Sequence, residues 1–189
     1  MMEIERKILG IDKRDLITRI KKLKPVAKKI FEGLVKIRYF DFPDGRIRKK
    51  RDLLRLRLIS PRGGVSFTEL VYKKYKGVKQ GCKYFEELEF PIPGTQDFEK
   101  LSQLFICMGL RISVSYEKKR TLYSYGKVKF EIDEHPKIPA FLEIEAPSPR
   151  HIDRAIKILG LEKHEQTAET ISELLRRKYP KLTLGDLRF

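Results

Sequence analysis

The chain has 189 residues, 42 of them Lys or Arg against 26 Asp or Glu, for a formal net charge of +16; 41% are hydrophobic and 36% charged. That length suits one domain with a core of its own, and the composition is that of a soluble globular protein. No apolar run approaches the ~18 residues that span a membrane, the charged N-terminus does not read as a signal, and Cys82 and Cys107 lie in no metal-site spacing, so a membrane protein, a zinc site and a disulfide framework are excluded and a reducing cytoplasm is expected. The basic excess points to a polyanionic partner: nucleic acid, an anionic membrane or a highly charged small molecule.

The first predicted element is a strand holding Glu3-Ile4-Glu5-Arg6-Lys7, in which Glu3, Glu5 and Lys7 share one face. Two carboxylates at that spacing can share a divalent cation, and the ammonium beside them can hold an anion. A helix follows, capped by Asp12, with Leu16, Ile17, Ile20 and Leu23 as its apolar stripe and Pro25 beyond its end. Strands are then expected over Val35–Asp41, Leu53–Ser60, Phe67–Tyr75 and Tyr84–Phe90, with a basic loop around Arg46–Arg51. A second helix runs from about Asp97 to Met108. Further strands cover Leu110–Tyr123, Lys127–Asp133 and Phe141–Ala146, a third helix opens at Ser148-Pro149, and a fourth spans roughly Thr167 to Lys178. With the opening segment the strands number eight. Short turns such as Pro43-Asp44-Gly45 and Pro61-Arg62-Gly63-Gly64 join many of them, which predicts antiparallel pairing. We expect one domain over residues 1–178 and a tail over 179–189.

Most of these strands alternate charge with apolar bulk. Leu54-Arg55-Leu56-Arg57-Leu58 sets two arginines against three leucines, Glu87 and Glu89 share a face, as do Lys118 and Arg120, and Lys127, Lys129, Glu131 and Asp133 oppose Val128, Phe130 and Ile132. Phe141-Leu142-Glu143-Ile144-Glu145 closes the series with a second E-x-E. For any one strand, charges facing water on an open sheet or sandwich explain the pattern. Two features favour a closed barrel with its charges inside: charges on one strand tend to share sign, and the amphipathic helices need an apolar surface to cover. The expected fold is α+β, an eight-stranded antiparallel β-barrel forming a tunnel, with helices packed outside. Acidic strands would hold metal and basic strands phosphate.

At these residues the chain resembles the CYTH group of triphosphate tunnel metalloenzymes, which includes class IV adenylate cyclases, thiamine triphosphatases and inorganic tripolyphosphatases. Glu3-Ile4-Glu5-Arg6-Lys7 matches the E-x-E-x-K of that group, Leu54-Arg55-Leu56-Arg57 its L-R-x-R, and Lys118-Lys119-Arg120 with Tyr123 its K-x-R-x-x-Y. Glu86-Glu87-Leu88-Glu89 and Phe141-Leu142-Glu143-Ile144-Glu145 fit its acidic strands. Tyr39-Phe40-Asp41-Phe42-Pro43 and Leu70-Val71-Tyr72-Lys73 are similar to two more segments, with Phe42 and Val71 where threonine is usual and Phe85 where an arginine often stands. The resemblance implies Mg2+ or Mn2+ held by Glu3, Glu5, Glu143 and Glu145. It implies phosphate held by Lys7, Arg55, Arg57, Lys73, Lys118 and Arg120, with Glu87, Glu89, Glu131 and Asp133 as supporting acids. Lys7 and Lys73 count among its catalytic groups, and Tyr39 with Lys73 maps to a proposed Tyr–Lys base. The remaining His135, His151 and His164 are expected on the surface, and Arg6, Arg38, Lys49, Lys50 and Arg51 in solvent or loops.

The resemblance further implies a cytoplasmic monomer or homodimer acting on a small-molecule triphosphate, with no membrane partner and with nucleic acid limited to RNA 5′-triphosphate ends. Hydrolysis of tripolyphosphate or a small organic triphosphate, such as thiamine triphosphate, is the leading expectation, since water attack asks less of the site than cyclisation. Cyclisation of ATP to cyclic AMP and pyrophosphate, and non-catalytic binding of RNA or polyphosphate, stand as alternatives.

Overall fold

The structure is a computed structural model that describes residues 2–189. Its strands are β1 (Met2–Ile8), β2 (Lys28–Asp41), β3 (Leu53–Pro61), β4 (Phe67–Lys79), β5 (Cys82–Pro93), β6 (Arg111–Tyr125), β7 (Val128–His135), β8 (Ile138–Glu145) and β9 (Gln166–Thr167). The first eight close on themselves in the order β5-β4-β3-β2-β6-β7-β8-β1, and β1 returns to pair with β5. Every pairing between these strands is antiparallel, as expected. The two-residue β9 continues the line of β5 beside β1, where Lys7 faces Thr167. Closure leaves no long open edge on the sheet.

The barrel is apolar outside and charged inside. Ile4, Ile8, Phe130, Ile132, Leu142 and Ile144 point outward and form the main core under α1 (Lys13–Lys21) and α4 (Pro149–Ile158). Asp12 caps α1 by accepting from the Asp15 amide at 2.7 Å, and α1 buries Leu16 and Ile20. Pro149 starts α4 where a missing N–H costs nothing, and Gly160, at φ +65°, ends it. A second outer layer joins Phe40 and Leu56 to Phe98 of α3 (Gln96–Cys107). Arg38 points outward from β2 to clamp α3, donating to both Glu99 carboxylate oxygens at 2.7 and 2.8 Å beneath the Phe98 ring.

Three departures from the sequence expectation matter for the site. The basic loop contains a short helix, α2 (Arg46–Lys49), nucleated by Asp41, whose carboxylate accepts from the amides of Phe42, Ile47 and Arg48. The last helix, α5 (Ile171–Lys178), starts later than expected because Thr170 and Glu173 form a capping box. Residues after it are tied down: Leu187 is fully buried, and its carbonyl accepts from the Glu117 amide at 2.7 Å, beside a part of β6 that lacks a β7 partner.

Two side chains expected in solvent are buried. Arg6, 8% exposed, points out of β1 and donates to Asp153 at 2.7 Å and to the Gln80 carbonyl at 2.7 Å, pinning α4 and the β4–β5 turn to the barrel. His135, 6% exposed, stacks between Tyr116 and Phe141, and burial pushes its pKa down to about 4, so it is neutral. Phe130→Ala tests the inverted polarity of the barrel. Phe130 lies between two lumenal charges yet is fully buried on the outer side, so the substitution should cost about 3–5 kcal/mol in urea unfolding. A surface residue would cost almost nothing.

Candidate active site

Strand register determines which side chains meet. Glu5 faces Glu145 and Lys7 faces Glu143 across β1–β8, and Glu131 faces Glu143 across β7–β8. Opposite them, Tyr39 faces Arg55, Lys73 faces Glu87, and Arg120 faces Asp133. Directly paired residues point to the same side of a sheet. All of these therefore project into one cavity of about 400 Å³, which every candidate site residue lines. A second cavity shares Arg57, Glu89, Lys118, Arg120, Lys129 and Glu131 with the first, so the space continues to the opposite mouth of the barrel. The first end is roofed by α2 and α5, where Arg51 reaches Glu173 at 3.1 Å.

The buried charges compensate one another. Lys73 donates to Glu3 at 2.6 Å and lies 3.5 Å from Glu87. Lys7 pairs with Glu143 and lies 3.4 Å from Glu5. Lys118 and Arg120 both hold Asp133, at 2.7 and 2.6 Å, and Arg120 also holds Glu131. Arg57 sits between Glu69 and Glu89, and Lys129 meets Glu145 at 3.0 Å. Arg55 is different. It has Glu87 at 3.8 Å and the Tyr39 hydroxyl at 3.5 Å, and its buried Nε has no hydrogen-bond partner among the described residues. Arg55 lines the cavity, so its guanidinium has donor capacity that its neighbours do not use and that an anionic acceptor would satisfy. The Tyr39 hydroxyl, by contrast, has its contacts with Arg55 and Tyr116 rather than with Lys73.

Proton affinities show where charge is crowded. Burial, then Glu131 and Glu3, push Glu145 up to about 7. Burial and Glu143 raise Glu5, and burial raises Glu131 despite Arg120. Glu143 is held well below the usual carboxylate range, since Lys7, Arg120 and Lys118 outweigh its burial. Tyr39 is lowered, because Arg55 and the Tyr116 hydrogen bond outweigh its burial. The wall formed by β1, β7 and β8 thus crowds carboxylates beyond what its lysines neutralise. A hard divalent cation would relieve this, and an all-oxygen donor set suits Mg2+ or Mn2+. Among the described residues no three acids converge on one point as a ready ligand set. Oxygens of Glu3, Glu143 and Glu145 are taken by Lys73, Lys7 and Lys129.

A family model for the CYTH domain matches residues 1–172. The chain belongs to the CYTH family. This CYTH chain is 31% identical over 149 residues, 77% of each protein, to a Methanocaldococcus jannaschii protein named "putative adenylate cyclase". It superposes on the PH1012 protein of Pyrococcus horikoshii with a TM-score of 0.69 at 27% identity, covering 86% of this chain and 94% of that one. A Hippeastrum protein described as a "putative adenylyl cyclase" with a dominant triphosphatase activity shares the fold, with a TM-score of 0.65 at 14% identity over 98% and 99% of the two chains.

Two tunnel residues escaped the sequence reading. Glu69 shares the lumenal face of β4 with Lys73, and Lys83 shares that of β5 with Glu87. Extending the two-residue alternation of each strand would have found both. Burial raises Glu69 to about 7, with Glu89 adding to the shift and Arg57 opposing it. An acid raised on folding contributes stability below its unfolded pKa of 4.5 and loses it as pH rises through about 7. Glu69→Gln should therefore flatten the fall in stability between pH 4.5 and 7, as read by denaturant midpoints across that window.

Proposed function

We propose that this CYTH chain is a divalent-metal-dependent triphosphatase that hydrolyses inorganic tripolyphosphate or a small organic triphosphate inside the tunnel. The observation that carries this is a single cavity with crowded carboxylates on one wall and, facing them, a buried arginine with an unmatched donor. A linear triphosphate with its metal supplies both missing partners, anion for Arg55 and cation for the acids. The same tunnel architecture serves triphosphatase activity in the Hippeastrum protein.

Glu3, Glu5, Glu143 and Glu145 would hold Mg2+ or Mn2+, which when bound neutralises phosphate charge and polarises the reacting phosphoryl. Arg55 binds and orients the chain through its planar fork, and Lys7, Lys73 and Lys118 turn from carboxylates to phosphate oxygens as point charges. Arg57 and Arg120 are each held by two carboxylates, so they present fixed donors rather than mobile ones. Tyr39, its phenol made more acidic beside Arg55, is positioned to take a proton from an attacking water. Glu87 and Glu89 keep Lys73, Arg55 and Arg57 in place. Catalysis in such a site is chiefly positioning and electrostatics.

Cyclisation of ATP is the second reading, favoured by the name of the Methanocaldococcus jannaschii relative. It needs a ribose hydroxyl placed at the α-phosphorus, whereas hydrolysis needs only a water. We place the protein in the cytoplasm, since both cysteines are free; no helix among the described residues is long and apolar enough to cross a membrane.

Purified protein should release phosphate from tripolyphosphate or thiamine triphosphate with Mg2+ or Mn2+, not with chelator, and form no cyclic AMP from ATP. The Glu3→Gln/Glu5→Gln variant should lose about 10²–10³-fold in turnover while keeping its circular dichroism spectrum. Cyclic AMP as the main product would establish the cyclase. Metal-independent binding of RNA or polyphosphate that survives the double substitution, without turnover, would reduce the protein to a binding module.

A further inference from the structure

Lys83 is 1% exposed, although a lysine is almost never fully buried unless paired. It lies opposite Glu5 across β1–β5, so its side chain enters the tunnel at the α5 end. Other tunnel lysines are bonded closely: Lys73 to Glu3 at 2.6 Å, Lys118 to Asp133 at 2.7 Å and Lys129 to Glu145 at 3.0 Å. Lys83 has only Glu5 as an ion partner among the described residues, at 3.5 Å, beyond ordinary hydrogen-bond reach. Glu5 is itself shared, with Lys7 at 3.4 Å.

The other acids near Lys83 are committed elsewhere: Glu143 pairs with Lys7. Glu173 of α5 accepts from the Thr170 amide at 2.7 Å and meets Arg51 at 3.1 Å. Lys83 is therefore the least neutralised buried lysine in the tunnel, and its single carboxylate is one of the acids assigned to the metal. A cation at Glu5 would leave the ammonium facing a cavity that also holds the unpartnered Nε of Arg55.

We propose that Lys83 is a further substrate-holding residue: it rests on Glu5 in the free protein and turns to a phosphate oxygen when a divalent cation occupies that carboxylate. The proposal rests on the metal–triphosphate reading of the site. It makes metal and phosphate binding cooperative through one side chain, because the same event that places the cation frees an ammonium for the anion.

Lys83→Met, close in shape but uncharged, should raise KM for tripolyphosphate about tenfold to a hundredfold, with a smaller change in kcat. Lys83→Arg should recover most of that loss. Calorimetric Mn2+ binding to the substrate-free variant should be as tight as in wild type or tighter, since Glu5 has lost a competing ammonium. A KM within twofold of wild type overturns the proposal. So does parallel weakening of Mn2+ binding, KM and thermal midpoint, the signature of a merely structural lysine. If Lys83→Met does not fold, Lys83→Gln carries the same comparison. Wild-type protein that turns over no triphosphate would instead overturn the functional reading; equilibrium binding of tripolyphosphate with and without Mn2+ then decides the role of Lys83 alone.

Discussion

Compensation of buried charge is the constraint on which this structure depends. An isolated ion inside a protein is too costly to keep, and a buried pair survives only with good geometry and satisfied hydrogen bonds. The tunnel obeys that rule by pairing nearly every ion with one on a nearby strand: Lys7 with Glu143 and Arg120 with Asp133 and Glu131 across adjacent strands, and Lys73 with Glu3 across β5. Because pairing runs between strands, strand register is also site geometry. A slip by one residue in β1, β7 or β8 would turn its charges outward into the apolar layer and outer residues such as Ile4, Phe130 and Ile144 inward. The fold and the site are thus specified by the same alternation.

That inversion explains where the helices sit. A lumen lined mostly by ions leaves the main core between the barrel's outer surface and α1, α3 and α4. A smaller apolar cluster of Val35, Ile37, Ile59 and Tyr116 lies on the inner face and packs with Leu175 of α5. Arg6 and Arg38 fasten the outer layer from the barrel side, through Asp153 and Glu99. The lumenal charges come close to balance among themselves. The net +16 therefore resides mostly on the outside and around the mouths, where Arg48, Arg51 and Arg176 line the α5 end. Charge placed there acts on the approach of an anion rather than on its coordination.

The lumenal face was legible wherever charge alternated cleanly with bulk. The E-x-E-x-K strand, the two arginines of β3 and the closing E-x-E of β8, with the charge pairs of β5, β6 and β7, revealed the barrel and most of the candidate site residues that its cavity gathers, whereas Tyr39 and Lys73 came from the family resemblance. What escaped did so for local reasons. Lys83 lies one residue before the strand as read from Tyr84, so its parity with Glu87 went unused. Glu69 was separated from Lys73 by Val71, which broke the charged pattern on that face. Arg6 looked solvated because its partners, Asp153 and the Gln80 carbonyl, are 147 and 74 residues away in sequence. The stacking of His135 between Tyr116 and Phe141 likewise depends on three strands meeting at the α5 end. Helix α2 has no apolar periodicity at all; it exists because Asp41 captures three amides of its first turn and approach.

A site whose charges already satisfy one another has a consequence for binding. A bare cation must displace Lys73, Lys7 or Lys129 from the carboxylates it needs, stranding an ammonium in a low-dielectric space. A bare triphosphate must likewise draw those lysines away and strand the acids. Either event alone exchanges a satisfied pair for an unpaired buried ion, which costs several kcal/mol. Metal and triphosphate arriving together would exchange the pairs of Lys73, Lys7 and Lys129 for metal–carboxylate and lysine–phosphate pairs, leaving none of those ions alone. On the proposed reading, the tunnel would therefore favour the metal–triphosphate complex over either component. As a triphosphatase, on that same proposal, it would release by the same rule in reverse: hydrolysis would divide the anion's charge between two products, each a poorer match for the freed cations, and the lysines would return to their acids.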